Sequence, residues 1–542
     1  MALVGPEVEE NLSLRHLASS LSAAGFPSEI VPFNTWSEFA GVAGRIPAGE
    51  GGPSVVALSL SFQWRAKDFL ALAVALRERG YRGHITAGGH FGTFAADDLL
   101  RDFPELDSIC LHESEGTLVD LVRAVIKGSP AMGLRGVACR DGDGEVVRNP
   151  LPQLPDLAAL PWPDRRGTPA TCLGHRIAPM VSSRGCYARC HFCCIAEWHE
   201  QTLPGLRYRS RPMEDVAAEM AWLAGERGIE IFIFHDDNFF VPGREASLRR
   251  VHALADALER LKCPRFATVV KARPTDVDPE LFLAMKERLG LVRLYLGVET
   301  DSEQGLKTLG RRVRRDENRR AMEVLGALDL YVCFNMLIFD PDAALPDLER
   351  NLAFMERHAE APTNFGRVEL YAGTPLLRRM LAEGRCSGDY LGWDYSLRND
   401  AMQRVFESAM RCFYDRNFAP GSLANRLMGT RFDVEVARFF HPDLYSPAWL
   451  ERSKSLSRAL ARDSVAGLRE IVSSVSEGRT GSDGQDFEWD LCSRLRAAER
   501  HLAGAAEALE DEVRDALGTG HVLTGPVPVG EGARIPAARR RL

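Results

Sequence analysis

A chain of 542 residues is too long for one hydrophobic core, so two to four domains are expected. Its 45% hydrophobic and 26% charged residues exclude global disorder, and a net charge of -8 argues against a protein held on nucleic acid by phosphate contacts. No apolar run reaches the ~18 residues of a membrane helix, and no signal peptide is visible at the start, so cytoplasm is the default compartment.

The first 150 residues alternate short apolar strands with amphipathic helices. Residues 11–24 carry Leu12, Leu14, Leu17, Leu21 and Ala24 on one helical stripe. Residues 54–60 read as a buried strand, 67–79 as a helix, 84–87 as a strand ending in Gly88-Gly89, and 118–126 as a helix. This alternation predicts a Rossmann-like α/β domain over residues 1–150. Six prolines between Pro150 and Pro169 mark residues 151–170 as a linker. Alternation then resumes, with strands at 176–183, 229–234, 267–270, 292–297, 332–338 and 367–371 and a helix over 213–225. Six such strands predict a partial or full β/α barrel over residues 171–385, with chemistry at the C-terminal strand ends. Residues 386–517 read as mainly helical, including 488–517, with a flexible loop at 478–485. Residues 518–542, rich in Gly, Pro and Arg, read as a disordered tail.

Four of the twelve cysteines fall within nine residues: Cys186, Cys190, Cys193 and Cys194. A cytosolic cluster points to metal or catalysis before disulfides. The C-x3-C-x2-C spacing of Cys186, Cys190 and Cys193 suits an iron–sulfur cluster held on one loop. Three thiolates fill three irons of a [4Fe–4S] cube and leave the fourth open, as catalytic metal sites do. A zinc knuckle completed by Cys194 or His191 is the alternative, but zinc ribbons add a second ligand pair and none follows here. Cys194 reads as a spare thiol.

This loop, with Phe192 before the third cysteine, resembles the radical S-adenosylmethionine (SAM) superfamily over residues 170–385. The resemblance implies that Cys186, Cys190 and Cys193 hold the cube while SAM chelates its fourth iron, and that reduction yields a 5′-deoxyadenosyl radical. Asp236-Asp237-Asn238 stands where the family carries a stretch that binds the SAM ammonium, or else caps the next helix. Glu299 is placed to bind ribose hydroxyls and Arg273 the SAM carboxylate; either could instead form a surface ion pair.

A Rossmann-like unit ahead of such a barrel resembles the cobalamin (B12)-binding class of the superfamily. The features that carry this are Ser59 and Ser61 at one strand end, Gly88-Gly89-His90 at the next, and the turn His112-Glu113-Ser114-Glu115-Gly116. Small residues there admit the corrin's nucleotide tail at the crevice of an open sheet. The Asp-x-His-x-x-Gly motif that supplies a lower cobalt ligand is absent, and Gln63, Trp64 or Arg65 is expected on that side of cobalt. His16 and His90 read as structural. A corrin-free, substrate-binding domain is the alternative.

Residues 1–150 hold only Cys110 and Cys139, which sets aside methylthiotransferases with a second cluster, and the late cysteines are too scattered for auxiliary clusters. The run Arg311-Arg312-Val313-Arg314-Arg315 reads as a solvated helix start, without nucleic acid or membrane as partner. The resemblance implies a cobalamin-dependent C-methyltransferase acting on an unactivated carbon in secondary metabolism. One SAM remakes methylcobalamin, and a second gives the radical that removes substrate hydrogen. A non-methylating radical rearrangement, cyclisation or oxidation, and a non-catalytic metal-binding scaffold, are the alternatives. A small molecule or peptide is the expected substrate, with contacts near Asn335, Glu369 and Tyr371, and a flavodoxin or ferredoxin the expected reductant.

Overall fold

In the computed structural model, which describes residues 1–49, 51–479 and 481–519, the first helix (Leu12–Ala23) starts where the Asn11 side chain accepts from the N–H groups of Ser13 and Leu14. Its stripe Leu14, Ala18 and Leu21 packs on a sheet of seven strands. These are β1 (Ala2–Gly5), β2 (Glu29–Pro32), β3 (Val55–Ser59), β4 (His84–Gly88), β5 (Ser108–Cys110), β6 (Val137–Arg140) and β7 (Val146–Arg148). They lie in the order β2-β1-β3-β4-β5-β6-β7, the first five parallel and the last two antiparallel. Strand order therefore reverses between β1 and β3, and at such a switch point the flanking helices diverge and leave a crevice.

No regular element occurs between Arg148 and Ala170. The connection is nonetheless fastened: the Arg165 side chain, 3% exposed, pairs with Glu10 of the first domain and Glu219 of the second.

The second sheet comprises β8 (Ala170–Cys172), β9 (His175–Met180), β12 (Ile229–Phe234), β13 (Ala267–Ala272), β14 (Leu291–Glu299), β15 (Val332–Phe339) and β16 (Thr363–Arg367). Its order is β16-β15-β14-β13-β12-β9-β8, parallel throughout except for β8. β9 and β16 do not pair, so the six-strand β/α unit is an open, partial barrel. Residues alternate between two cores. Phe232, Phe234, Leu294 and Phe334 pack outward against the helices, each burial contributing about 1.5–3 kcal/mol. Ile231, Ile233, Val269 and Cys333 face the lumen.

The C-terminal region is helical (Leu423–Phe440, Pro447–Ser476, Gly481–Leu517) and delivers Leu427, Phe432, Trp449 and Leu509 to the early ends of the barrel strands. One mouth is thereby plugged, and the C-terminal strand ends stay open towards the first domain. Among the described residues no helix is long and apolar enough to cross a membrane.

Four local expectations are corrected. The strand expected over 176–183 ends at Met180, because Asp236 captures the N–H and hydroxyl of Ser182. Residues β10 (Ser183–Gly185) then pair antiparallel with β11 (Tyr208–Ser210). The strand expected over 367–371 lies earlier, at β16, since Val368 and Leu370 leave the sheet to pack on Leu309 and Leu376. Strands continue past 386 as a hairpin, β17 (Cys386–Asp389) and β18 (Gly392–Tyr395), closed by Tyr390 and Leu391, with Gly388 at φ 87° inside the first strand. The loop expected over 478–485 is already helix from Gly481. The tail expected from residue 518 lies outside the described residues beyond 519.

Candidate functional site at the domain interface

The crevice of the first sheet opens onto the segments that flank the cysteine loop of the second. A cleft of about 1160 Å³, counting its open mouth, is lined by Ser59, Gly88 and His90 from one side and Arg184, His199 and Asp237 from the other. Ser59, Ser61, Gly88, Gly89, His90 and Glu115 all border it. Gly89 sits at φ 103°, and a Cβ there would lie 2.7 Å from Ser61 Oγ. Gly5, which sequence reading passed over, is equally confined: a Cβ would lie 2.8 Å from Leu14 and 2.9 Å from Ser59. Its only sequence signal was its place at the end of a strand.

The wall of the cleft holds polar atoms without partners: Trp198 Nε1, His112 Nδ1, His16 Nδ1 and Glu115 Oε2 are buried and unbonded within the protein. Such groups cost about 1–3 kcal/mol each unless a ligand or water meets them. The indole of Trp198 lies 4.7 Å from the His90 ring and 5.2 Å from the His112 ring. Burial lowers the pKa of His16 to about 3 and those of His112 and His199 to about 4, so these imidazoles stand neutral. A glycine-lined cradle edged by orphaned donors and acceptors fits a large ligand rich in amide groups, as cobalamin is.

Other residues named from sequence lie elsewhere. Gln63 is buried and faces the barrel, its amide donating to Leu370 O at 3.4 Å and accepting from Ala372 N at 2.9 Å. Arg65 donates to the carbonyls of Phe33 and Asn34 and to Asp68. Trp64 lies beside Phe62 and Arg65, and Gly116 is exposed with open space around it. None of the four borders this cleft.

The cysteine loop is held from three directions. Gly185, at φ 88°, leaves no room for a Cβ against the Arg207 carbonyl, and its N–H donates to Asp237 at 2.9 Å. His191 N donates to Leu309 O at 2.8 Å while its ring lies against Gly310. Tyr187 donates to Asp276 at 2.5 Å, and Phe192 packs against the Leu309–Leu370–Leu376 cluster. Cys190 is close enough to Cys186 and Cys193 for charge on it to raise both their pKa values. Burial pushes Cys186 to about 11, Cys194 to about 12 and Cys193 well up, so loading a metal must displace protons. Arg273 and Arg311 donate to Cys190 Sγ at 3.2 and 3.3 Å. Arg311 is 4% exposed, which corrects its reading as part of a solvated helix start.

Among the described residues no three His, Cys, Asp or Glu side chains converge closely enough for one metal ion. A single zinc needs its sulfurs about 2.3 Å away; a cube spreads its thiolates over separate irons. Three neighbouring thiols with guanidinium donors behind one of them fit the larger group.

Of the Asp236-Asp237-Asn238 stretch, Asp236 is spent on Ser182 and Ser183, and Asn238 on Phe240 O. Asp237 alone is exposed, bordering the cleft. Glu299 ends β14 at φ 65°, its pKa raised by burial against the pull of Arg311 and Arg273. Asn335 is exposed on β15, and Tyr371 donates to Glu369 at 3.1 Å.

The family described as the radical SAM superfamily matches residues 180–352, and that described as the B12 binding domain matches residues 3–122. The chain carries a radical SAM domain and, ahead of it, a B12-binding domain. A methyltransferase of Pyrococcus horikoshii, otherwise uncharacterized, is 23% identical over 59% of this chain and 64% of its own length. The 4′-phospho-dehydrooxetanocin synthase of Priestia megaterium is 26% identical over 56% of this chain and 43% of its own. The chain thus spans about half the length of these curated relatives. The structure of the cobalamin-dependent SAM radical enzyme OxsB with aqua-cobalamin bound superposes with a TM-score of 0.65 at 17% identity, over 95% of this chain and 79% of that one. The similarity establishes a shared fold. [4Fe–4S], SAM and cobalamin are the cofactors that this radical SAM and B12-binding pairing implies.

Proposed function

We propose that this radical SAM protein is a cobalamin-dependent C-methyltransferase acting on an unactivated carbon of a small molecule. The observation that carries the reading is the shared cleft, whose wall joins the ends of β3 and β4 to the segment that enters the cysteine loop. When bound, the cluster supplies an electron, SAM the radical and cobalamin the methyl group.

The residues divide that work. Cys186, Cys190 and Cys193 hold the cluster, and the N–H donors of Arg273 and Arg311 stabilise negative charge on Cys190. Asp237 offers its exposed carboxylate to the SAM ammonium, and Glu299 to ribose hydroxyls. Gly88 and Gly89 admit the corrin, and Trp198, His112 and Glu115 bond its amide periphery. Asn335, Glu369 and Tyr371 face the substrate. The plugged far mouth of the barrel keeps water from a radical that attacks whatever is nearest. A flavodoxin or ferredoxin serves as reductant.

Anaerobically reconstituted protein with SAM, reductant and substrate should release deoxyadenosine and S-adenosylhomocysteine together. Deoxyadenosine without S-adenosylhomocysteine would replace methylation by a ring-forming or oxidative outcome. That one relative is named a synthase and not a methyltransferase favours that second reading. Absence of both products would leave only a metal-binding scaffold.

A further inference from the structure

The two-stranded ribbon β10–β11, which brackets the cysteine loop and the helix Ile195–Thr202, carries a charge conflict that the other domain resolves. Its register sets Arg184 directly opposite Arg209, and like charges facing across two strands repel. Both guanidinium groups reach the turn after β5. Arg184 donates to Glu113 Oε2 at 2.5 Å and to Glu115 Oε1 at 2.6 Å, and Arg209 donates to Glu113 Oε1. The two carboxylate side chains are 3% and 8% exposed, so removing Arg184 strands the buried charge of Glu115 and leaves Glu113 with Arg209 alone. Two cations and two anions thus close one shielded cluster across the domain boundary.

Each end of the cluster touches a different site. The turn also holds His112, a non-glycine residue at φ 58° whose ring walls the B12-binding cleft. On the other end, Arg184 lies two residues before Cys186, in a strand of only three residues. A shift of the turn therefore moves the entry to the cysteine loop.

We propose that the Arg184–Glu113–Arg209–Glu115 cluster couples filling of the B12-binding cleft to assembly of the iron–sulfur loop, so that each favours the other. This rests on the cofactor reading given above. A corrin in the cleft fixes the turn, the turn fixes the ribbon, and the ribbon fixes Cys186. Linkage makes the effect reciprocal.

The test titrates the full chain anaerobically with hydroxocobalamin, once loaded with iron and sulfide and once iron-free after chelation, following corrin absorbance. The wild-type chain should bind about tenfold more tightly when loaded, within the 5–150-fold usual for coupled sites. Glu113→Gln and Arg184→Met should bring that ratio close to unity, while Arg123→Gln, which breaks an exposed pair on the same domain, should leave it intact. Glu115→Gln retains shape and can still accept a hydrogen bond; it should lower the ratio, and it carries the test should Arg184→Met not fold. Equal wild-type affinities in the two states, or a tenfold ratio surviving in Glu113→Gln, would overturn the coupling alone. No hydroxocobalamin binding in either state would overturn the cobalamin reading and the coupling with it.

Discussion

The parallel strands of the first sheet end in Gly5, Ser59 and Gly88, whereas those of the barrel end near Asp237, Arg273 and Glu299. Both sheets grow from the same strand–helix alternation, yet three strand ends of one rim are small residues and those of the other are charged. A switch point lets a bulky ligand slide between diverging helices, so the rim must be thin. A sequential partial barrel offers only its open end, so the rim must supply charge for small polar groups. Chain order alone separates the two cases.

That contrast can be broken at its strongest point first. Replacing Cys186, Cys190 or Cys193 by Ala should reduce iron from about four per chain to near zero after anaerobic reconstitution, while Cys194→Ala keeps it. Iron and sulfide analysis reads the result, and iron loss in Cys194→Ala would move the ligand set. Next, Gly89→Val fills the thin rim beside Ser61. Hydroxocobalamin affinity should fall by more than ~10-fold, about 1.4 kcal/mol, with iron content unchanged, and backbone strain should separately lower stability by ~1–3 kcal/mol.

A smaller effect concerns pH. His16, His112 and His199 have folded pKa values depressed to about 3, 4 and 4 by burial, below the unfolded value near 6.5. The unfolded chain then binds more protons as pH falls. Stability is therefore fully present above pH 6.5 and declines between about 6.5 and 4, by up to ~1.4 kcal/mol per pH unit for each group. Thermal melts from pH 7.5 to 5 should show this fall, reduced in His112→Phe; an unchanged slope would place the titrating groups elsewhere. The smallest effect sharpens the charged rim. Arg311→Met removes a donor to Cys190 Sγ and should make the cluster potential more negative, about 40 mV for each ~1 kcal/mol lost. Arg314→Met, on an exposed side chain, should leave it unchanged in a redox titration.

Legibility in the sequence followed the range of the interaction. Strands 229–234 and 332–338 were readable because apolar runs bounded by turns depend on neighbours in the chain, and so was the cysteine spacing. Arg311 was misread because a basic run looks solvated until the fold brings Cys190 and Gly297 beside it. The strand expected at 367–371 failed for the same reason: its apolar pattern serves the Leu309–Leu376 cluster and not a ladder. Glu115 looked like part of a nucleotide-binding turn, and only the packed domains show Arg184 on one of its oxygens.

By itself the sequence determined two α/β units, their order, three thiols on one loop and the glycines of one rim. These depend on local periodicity, backbone freedom and spacing. Tertiary structure alone decided that the two rims face each other, that Asp237 is the exposed member of its trio, and that Arg184 and Arg209 share carboxylates with the other domain. Those outcomes depend on contacts between residues about 70 to 100 positions apart, where desolvation and charge pairing, not local propensity, choose the partner.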